Sequence, residues 1–140
     1  MKNEMIHEKL KSLNSLGPRS HQEMHDLFKS INLSIPALYK MVTHDDKTGI
    51  YNNRFFETIL EIEFDKCKRG KQVISIALLD IDFFKKINDK YGHIKGDDLL
   101  KRLAKVIQKT LRKSDIVARF GGEEFIILFS ETNLNQAKEF

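Results

Sequence analysis

The sequence Arg119-Phe120-Gly121-Gly122-Glu123-Glu124-Phe125 places two glycines and two acidic residues between two apolar segments. The segment Ile116 to Phe120 leads in and Phe125 to Phe129 leads out, so the pattern predicts a β-hairpin whose turn carries the polar residues. Paired glycines allow positive φ and a close approach of the backbone to a ligand. Two carboxylates on a rigid turn are suitable metal ligands; the alternative is an ordinary surface hairpin.

A second group of acids follows the apolar segment Gln72 to Leu79. This segment is rich in Ile, Val and Leu, which predicts a central strand buried on both faces. It ends in Asp80-Ile81-Asp82, and carboxylates at the end of a buried strand are costly unless a cation or hydrogen bonds compensate them. We therefore expect a divalent cation held by Asp80, the Ile81 carbonyl and a carboxylate of the hairpin turn. The alternative is two solvated acids where the strand emerges.

The spacing of these acids also begins like a calcium-binding EF-hand loop, in which Asp80 and Asp82 would be the first two ligands. The fifth position of such a loop is Phe84 here, which has no side-chain oxygen. The twelfth is Tyr91, where the loop needs a bidentate Glu. The sequence therefore does not support an EF-hand.

Polar side chains continue downstream at spacings that suit a nucleotide. Lys85 closely follows the proposed metal ligands, where an ammonium group would neutralise phosphate charge. Asn88 and Asp97 are able to read a purine edge, because a carboxylate accepts from the ring N–H and the amino group of guanine and an amide donates to its carbonyl. The alternative for each residue alone is a solvated loop or a helix cap. Asp97 in particular would suit the cap of the helix that follows it.

Taken together, these motifs resemble the GGDEF family, the bacterial diguanylate cyclases. The matching segments are Asp45 to Phe55, Asp80 to Asp97 and Arg119 to Phe125, in the family's order and with its spacing. The resemblance covers residues 43 to 140. Glu123 stands where the family name has Asp, which is a common alternative in active members. Further departures lie in the first segment, where the family more often has Leu, Leu and Arg: Lys47, Ile50 and Asn53.

The resemblance implies a role for each acid of the turn and of the strand end. Asp80, the Ile81 carbonyl and Glu123 would bind catalytic Mg²⁺, with Mn²⁺ as an alternative. Glu123 would also assist deprotonation of the ribose 3′-hydroxyl. Glu124 would support the site near the second metal position.

The resemblance also implies the nucleotide contacts. Lys85 and the backbone of Phe83 and Phe84 would contact phosphate, and the backbone of Gly121 and Gly122 would pass close to the nucleotide. Asn88 and Asp97 would read guanine. The implied reaction is the condensation of two GTP into cyclic di-GMP with release of two pyrophosphates, in which a cation stabilises negative charge and positioning supplies much of the rest. Each domain would supply one GTP, so a homodimer is needed.

Arg112-Lys113-Ser114-Asp115 precedes the hairpin by a short interval. By itself such a tetrapeptide predicts a solvated turn. Its offset from Gly121 resembles the family's product-inhibition site. There Arg112 would pair with a guanine or phosphate of cyclic di-GMP, and Asp115 would accept from the base.

Composition agrees with a bacterial cytoplasmic enzyme. The chain has 140 residues, a net charge of +4 and one cysteine, so an internal disulfide is excluded. No apolar stretch reaches the length of a transmembrane helix. The basic excess would balance GTP phosphates, and nucleic-acid binding is disfavoured because no basic stripe with interleaved aromatic residues occurs.

The apolar pattern predicts the organisation of the chain. Residues 1–42 would be a helical extension, with a break at Leu16-Gly17-Pro18 and a new helix starting at Ser34-Ile35-Pro36. Residues 43–140 would be the catalytic domain, with a helix from about Asn53 to Lys68 and another starting near Asp97. The apolar positions expected to face inward or to form a stripe are Met24, Leu27, Phe28, Ile31, Leu38, Met41, Val42, Phe55, Phe56, Ile59, Leu60, Phe64, Leu99, Leu100, Leu103, Ala104, Ile107 and Leu111.

The resemblance implies an α+β fold of the ferredoxin-like, nucleotidyl-cyclase type, with a sheet flanked by helices. Thr132 would cap a helix whose apolar stripe begins with Leu134, Ala137 and Phe140. Compared with the family fold, we expect the chain to lack the last helices and strands, including basic residues that contact the triphosphate. Val73 to Leu79 would then expose an apolar strand edge. The alternative function is therefore a catalytically impaired fragment that only binds GTP or cyclic di-GMP, or one that only takes part in interactions.

Overall fold

The computed structural model of the chain describes residues 21–70 and 72–139. The elements within these ranges are α1 (His21–Thr43), β1 (Tyr51–Asn52), α2 (Asn53–Lys68), β2 (Ile74–Asp80), α3 (Phe84–Tyr91), α4 (His93–Thr110), β3 (Ile116–Gly121), β4 (Glu124–Ser130) and α5 (Leu134–Ala137). The predicted break at Leu16-Gly17-Pro18 and the predicted apolar position Phe140 lie outside the described residues.

The four strands form one mixed sheet in the order β1-β3-β4-β2. β3 and β4 are antiparallel and form the predicted hairpin, with Val117 opposite Ile127. β2 runs antiparallel to β4 on the other side, and β1 runs parallel to β3. The sheet and its flanking helices confirm the predicted α+β class.

One face of the sheet packs against α3 and α4. Alternate residues of β4 point to this face, as the period of two in a strand requires. The buried residues of this cluster are Ile50, Phe84, Leu100, Ala104, Ile107, Val117, Phe125, Ile127 and Phe129. Leu99, Leu103 and Leu111 pack against it, which confirms the apolar face predicted for the helix after Asp97.

The opposite face packs against α2. Phe56, Ala118 and Leu128 are buried there, and Ile59 and Leu60 of α2 pack around them. α2 has the predicted bounds, Asn53–Lys68, and begins at Asn52, whose side chain accepts from the Phe55 N–H. Phe64 departs from the prediction. Its side chain is exposed, and the Lys68 ammonium lies over its ring.

β2 lies at the edge of the described sheet, which confirms the predicted exposed strand edge, but the prediction of a central strand buried on both faces is wrong. Among the described residues it pairs with β4 alone. Ala77 and Leu79 pack on the α3–α4 side, whereas Ile76 and Leu78 on the other face are 49% and 59% exposed. An unbroken apolar segment predicts two apolar faces, but it carries no information about what covers the second one.

α1 is continuous through Pro36, so the prediction of a helix start at Ser34-Ile35-Pro36 is wrong. Proline lacks an N–H and therefore removes one helical hydrogen bond without necessarily ending the helix. The Ser34 hydroxyl donates to the Ser30 carbonyl at 2.8 Å, one helical turn earlier, so this serine lies inside the helix and does not cap it. No described helix is both long enough and apolar enough to cross a bilayer.

Two further helix starts differ from the sequence prediction. α4 begins at His93, so Asp97 lies in its second turn and is not its cap. α5 is capped by Asn133, which forms a reciprocal capping box with Gln136. The predicted cap, Thr132, is instead buried, and its hydroxyl donates to the Ser130 carbonyl.

The chain divides into two compact units, with the boundary between Leu38 and Tyr39. The sheet and all the side chains of the candidate site belong to the second unit. In the first unit, apolar side chains of α1 are largely exposed, among them Met24, Phe28, Ile31 and Ile35.

Candidate functional site

The turn of the β3–β4 hairpin is two residues long and consists of Gly122 and Glu123. Gly122 has φ +32°, a conformation that residues with a side chain adopt at a cost. The register shifts between Arg119 and Gly121, which is a bulge at the point where the turn begins. Bulges re-aim neighbouring side chains, so the geometry at this tip is specific and not that of a plain hairpin.

Arg119 fixes this tip from the side of β3. Its guanidinium donates to the Gly122 carbonyl through Nη2 at 2.6 Å and Nε at 3.1 Å. Its Nη1 lies 3.2 and 3.3 Å from the two carboxylate oxygens of Asp45. The two side chains are only 13% and 22% exposed, which shields the ion pair from water. The turn and the segment before β1 are therefore joined by one side chain.

Asp45 in turn organises its own loop. Its Oδ1 accepts from the backbone N–H of Thr48 at 2.8 Å and from the Thr48 hydroxyl at 2.7 Å. Burial raises the pKa of Asp45, but the hydrogen bonds from Thr48 and the charge of Arg119 lower it by more, so the net shift is downward. The carboxylate is thus held ionised while it links the loop to the hairpin.

The predicted metal ligands lie at the same end of the sheet. Asp80 ends β2 and is the register partner of Glu124 on β4, and Glu123 precedes Glu124 in the turn. Carboxylates and a backbone carbonyl are the oxygen donors that Mg²⁺ prefers, so the donor set fits such an ion. The Ile81 carbonyl accepts from the Phe84 N–H at 3.2 Å, so its second lone pair would be the one to bind a metal ion. Among the described residues, no three His, Cys, Asp or Glu side chains form a metal-binding group; the predicted set contains only two such side chains.

A strained turn connects Asp80 to α3. Phe83 adopts the left-handed conformation, with φ 57° and ψ 28°, although it is not a glycine. Such a residue persists only where the surroundings enforce it, and it is frequent at ligand sites. Here Phe84 is buried in the core and secures the first turn of α3. The N-terminus of α3 therefore has a fixed direction, and Lys85 lies in its first turn.

Asn88 on α3 has a buried Oδ1 without a hydrogen-bond partner in the described structure. The amide fits against α4 only because residue 96 is a glycine, since a Cβ at Gly96 would overlap Asn88 Oδ1. An unsatisfied buried acceptor costs free energy, so its retention calls for an explanation such as a ligand. Asn88 was a predicted site residue, whereas the need for a glycine at position 96 was not predicted.

Asp97 pairs with Lys47, with Nζ 2.8 Å from Oδ1. The hydrogen bond from Lys47 is the largest cause that lowers the pKa of Asp97, and the charges of Lys47, Arg119 and Lys101 act in the same direction. No residue of the segment Asp45 to Phe55 was predicted as a ligand, yet the structure brings Lys47 of that segment to the predicted guanine reader.

A cleft of about 430 Å³ gathers much of the predicted site. The predicted residues that line it are Phe84, Lys85, Asn88, Asp97, Gly122 and Glu123. Lys47, His93 and Arg119 line it as well, and none of these three was predicted as a site residue. Asp80, Ile81, Phe83, Gly121 and Glu124 lie in the adjoining strand ends and turns but do not line the cleft.

Arg112 and Asp115 form a separate turn before β3. Asp115 accepts from the backbone N–H of Arg112 at 3.0 Å and of Ser130 at 3.3 Å. The carboxylate therefore stabilises its own turn, as the solvated-turn alternative requires. Both residues also line a second cleft with Tyr51 and Gln108, on a different part of the surface from the first. The turn thus has a structural role, and it also borders a concave polar surface.

Comparison with known proteins adds an independent line of argument. Residues 42–140 match the sequence profile of the family described as "Diguanylate cyclase, GGDEF domain". The chain is 45% identical over 100 residues to the probable diguanylate cyclase DgcC of Escherichia coli K12, an alignment that covers 71% of this chain and 27% of DgcC. The chain spans about a quarter of the length of such curated relatives.

The fold is also similar to solved structures of diguanylate cyclases and GGDEF domains. Diguanylate cyclase SiaD of Pseudomonas aeruginosa, in complex with its activator SiaC, superposes with a TM-score of 0.70 at 34% identity over 98% of this chain and 51% of SiaD. The coiled coil and GGDEF domain of DgcB from Caulobacter crescentus, in complex with c-di-GMP, gives a TM-score of 0.76 at 26% identity over 81% of this chain and 60% of DgcB.

We expect Asp45→Asn to lower the free energy of unfolding by about 1.5–3 kcal/mol at pH 7, because it weakens hydrogen bonds between charged groups. The folded-state pKa of Asp45 lies below its ordinary value of 3.8, so the stabilisation is present above that value and is lost as the pH falls through the folded-state pKa. The difference from wild type should therefore shrink below pH 3.8. Urea unfolding between pH 2.5 and pH 7 measures it.

The matched control is Asp46→Asn, which removes the charge of an exposed neighbour and should change stability by less than about 0.5 kcal/mol. Equal effects of the two substitutions, or an effect of Asp45→Asn that does not vary with pH, would contradict the role of the Asp45–Arg119 pair.

Proposed function

Because this chain belongs to the GGDEF family of diguanylate cyclases, we propose that it condenses two GTP molecules into cyclic di-GMP and releases two pyrophosphates. One observation carries the proposal: a single cleft gathers Lys85, Asn88, Asp97 and Glu123 from α3, α4 and the hairpin turn. A base, a phosphate group and a reacting hydroxyl each find a suitable partner among these side chains. We assign residues 43–140 to the catalytic domain and residues 1–42 to an extension.

The reaction uses each GTP as both nucleophile and acceptor. The 3′-hydroxyl oxygen of one GTP attacks the α-phosphorus of the other, a P–O bond forms, and the bond to the β-phosphate breaks so that pyrophosphate leaves. The hydroxyl proton passes to a base, and Glu123 at the rim of the cleft is the residue we propose for this step. The 3′-hydroxyl of the second GTP attacks the α-phosphorus of the first in the same way, which closes the ring and releases the second pyrophosphate.

The base end of the cleft lies between α3 and α4. Asp97 accepts from the ring N–H and amino group of guanine, and the Asn88 amide contacts the same base. The Asn88 amide N–H would donate to the guanine carbonyl, and its place in the cleft beside Asp97 supports this assignment. The lowered pKa of Asp97 keeps its carboxylate ionised and able only to accept.

The phosphate end lies at the N-terminus of α3. Helix N-termini attract anions through their free N–H groups and the helix dipole. The left-handed conformation of Phe83 sets the direction of this terminus, and Phe84 anchors it in the core. Lys85 adds a full positive charge, and the backbone of Gly121 and Gly122 allows the nucleotide to pass close to the hairpin.

Asp80, the Ile81 carbonyl and Glu123 would hold Mg²⁺ or Mn²⁺, with Glu124 in support opposite Asp80. When bound, the ion supplies a Lewis acid that stabilises negative charge on the phosphoryl oxygens. Asp80 and Glu124 lie on paired strands, so their backbone is held by the sheet before any ligand arrives. A protein that consumes GTP acts in the cytoplasm, where we place this chain.

Each catalytic domain contributes one GTP, so the reaction requires two copies facing each other. α1 offers a surface for this pairing. Met24, Phe28, Ile31, Ile35 and Leu38 alternate at spacings of four and three residues, which is the heptad pattern of a coiled coil. All five side chains are exposed, by 43–61%. We infer a homodimer through this α1 seam.

We further propose that cyclic di-GMP binds at the turn of Arg112 and Asp115 and inhibits the enzyme. The supporting observation is the second cleft, which these two residues line together. A guanidinium and a carboxylate three residues apart provide a donor and an acceptor for a guanine or a phosphate.

Purified protein incubated with GTP and Mg²⁺ should form cyclic di-GMP, measured by chromatography. Glu123→Gln should abolish turnover, because the amide is a far weaker base and a weaker ligand for the proposed Mg²⁺. Asp97→Ala should weaken GTP binding in calorimetry at least about tenfold, since it removes hydrogen bonds to a charged group. Asp65→Ala, on the exposed surface of α2, is the control and should behave like wild type. GTP binding without turnover would favour the binding-only alternative, and equal affinity for ATP would contradict the guanine assignment.

The dimer is tested by Ile31→Lys, which places a charge in the α1 seam. We expect the monomer–dimer dissociation constant to rise at least about tenfold in sedimentation experiments, because a buried ammonium group is strongly unfavourable. Leu33→Lys makes the same chemical change at an exposed position outside the seam and should leave the constant unchanged. Equal effects of both substitutions, or a wild type that is monomeric at every concentration, would contradict the seam.

Arg112→Ala should lower the affinity for cyclic di-GMP at least about tenfold while GTP binding stays unchanged, because the charged donor lies outside the GTP cleft. Calorimetry with each nucleotide measures both. Arg102→Ala, an exposed arginine of α4, is the charge-matched control. Unchanged affinity for cyclic di-GMP, or a parallel loss of GTP binding, would contradict a separate product site.

A further inference from the structure

We propose that Lys47 is a specificity-determining residue of the GTP cleft, where its ammonium group and the Asp97 carboxylate together read the guanine edge. The proposal rests on the function proposed above. The resemblance to the family does not supply it, since Lys47 stands where the family more often has Leu.

The position of Lys47 carries the first part of the argument. Its Nζ lies 2.8 Å from Oδ1 of Asp97, and both residues line the cleft that also contains Asn88. The Lys47 side chain is 54% exposed and that of Asp97 34%, so both remain accessible to a ligand. An ammonium group has three N–H donors, and the bond to Asp97 uses one of them.

The backbone of Lys47 is held in place by its neighbours. The Asp45 carboxylate accepts from the Thr48 N–H, and the Gly49 N–H donates to the Asp45 carbonyl at 2.8 Å. Asp45 is tied to the hairpin by Arg119, and Thr48 is buried. Lys47 therefore extends from a fixed loop, and the entropy lost on ordering its side chain is the main remaining cost of its interaction.

The chemistry of the pair matches guanine. Guanine presents a carbonyl acceptor followed by two N–H donors along one edge. Nζ, Oδ1 and Oδ2 of the Lys47–Asp97 pair present a donor followed by two acceptors. Each carboxylate oxygen has two lone pairs, so Oδ1 is able to accept from Lys47 and from the base together. Adenine presents an amino donor and a ring acceptor at the corresponding positions. Its amino group would face the Lys47 ammonium, and its ring nitrogen would face a carboxylate oxygen of Asp97.

Two simpler roles for Lys47 make different predictions. If Lys47 only formed a surface ion pair, it would contribute little to the stability of the fold, and its loss would leave nucleotide binding unchanged. As a cation that only neutralises phosphate, it would strengthen GTP and ATP binding by the same factor. Of the three roles, only direct contact with the base changes the ratio of the affinities for GTP and ATP.

The experiment measures binding of the magnesium complexes of GTP, ITP and ATP by calorimetry on the full chain. Lys47→Met keeps the length of the side chain and removes the donors. We expect it to weaken GTP and ITP binding about tenfold, because both bases carry the carbonyl and a hydrogen bond from a charged donor is lost. ATP binding should change less than twofold. Lys47→Arg, which retains a charged donor, should keep most of the preference for GTP over ATP.

Lys105→Met, at an exposed position of α4, is the matched control and should leave all three affinities unchanged. Equal losses for GTP and ATP in Lys47→Met, or unchanged GTP binding, would overturn the role of Lys47 while leaving the proposed function intact. A wild type that binds no GTP would overturn both. Circular dichroism of each variant verifies that the fold is retained, so a loss of affinity is not mistaken for unfolding.

Discussion

The hairpin tip of the site depends on the Arg119 guanidinium, which donates through Nη1 to the Asp45 carboxylate and through Nε and Nη2 to the Gly122 carbonyl. The hairpin tip has a bulge and a glycine with positive φ, and a two-residue turn of this kind has few internal bonds of its own. Arg119 supplies them from the strand, and Asp45 extends them to the loop before β1. A planar guanidinium suits this task because its donors point in fixed, diverging directions. A lysine has three donors but no rigid planar fork, so it would not hold both partners in fixed directions.

The two faces of the sheet have different roles, because only one of them supports the cleft. α2 covers one face, while α3 and α4 cover the other and also carry the polar side chains of the cleft. Phe84 joins the two tasks, since the ring lies in the core and its backbone begins the helix that presents Lys85 and Asn88. The helical side of the site is therefore built on rigid elements, and the positions of Lys85 and Asn88 follow from core packing, whereas Arg119 fixes the hairpin tip. Gly96 shows the same dependence, because it leaves the space that the Asn88 amide occupies.

Local sequence signals predicted much of this arrangement. The hairpin and α2 were predicted closely, because alternation and amphipathic spacing report directly on which face is buried. The predicted helix start at Ser34-Ile35-Pro36 was wrong, since α1 continues through Pro36. The predicted cap at Thr132 was also wrong, since Asn133 caps the helix that follows. The partners Asp45–Arg119 and Lys47–Asp97 lie 74 and 50 residues apart in sequence. No local pattern encodes such pairs, so neither was predicted. The exposed edge of β2 was predicted, but the exposure of one of its two faces was not, because the segment is equally apolar on both faces.

The order of the strands has a consequence for how the domain opens. β4 is hydrogen-bonded to β3 on one side and to β2 on the other, whereas β2 is bonded on one side alone among the described residues. Fraying of β2 breaks only its ladder with β4, whereas separation of β4 from the sheet breaks two ladders and costs more free energy. Asp80 ends the edge strand and Glu123 adjoins the central one, so the two proposed metal ligands belong to strands with different opening free energies. A cation held by these two residues would oppose the fraying of β2, because fraying would remove the Asp80 ligand.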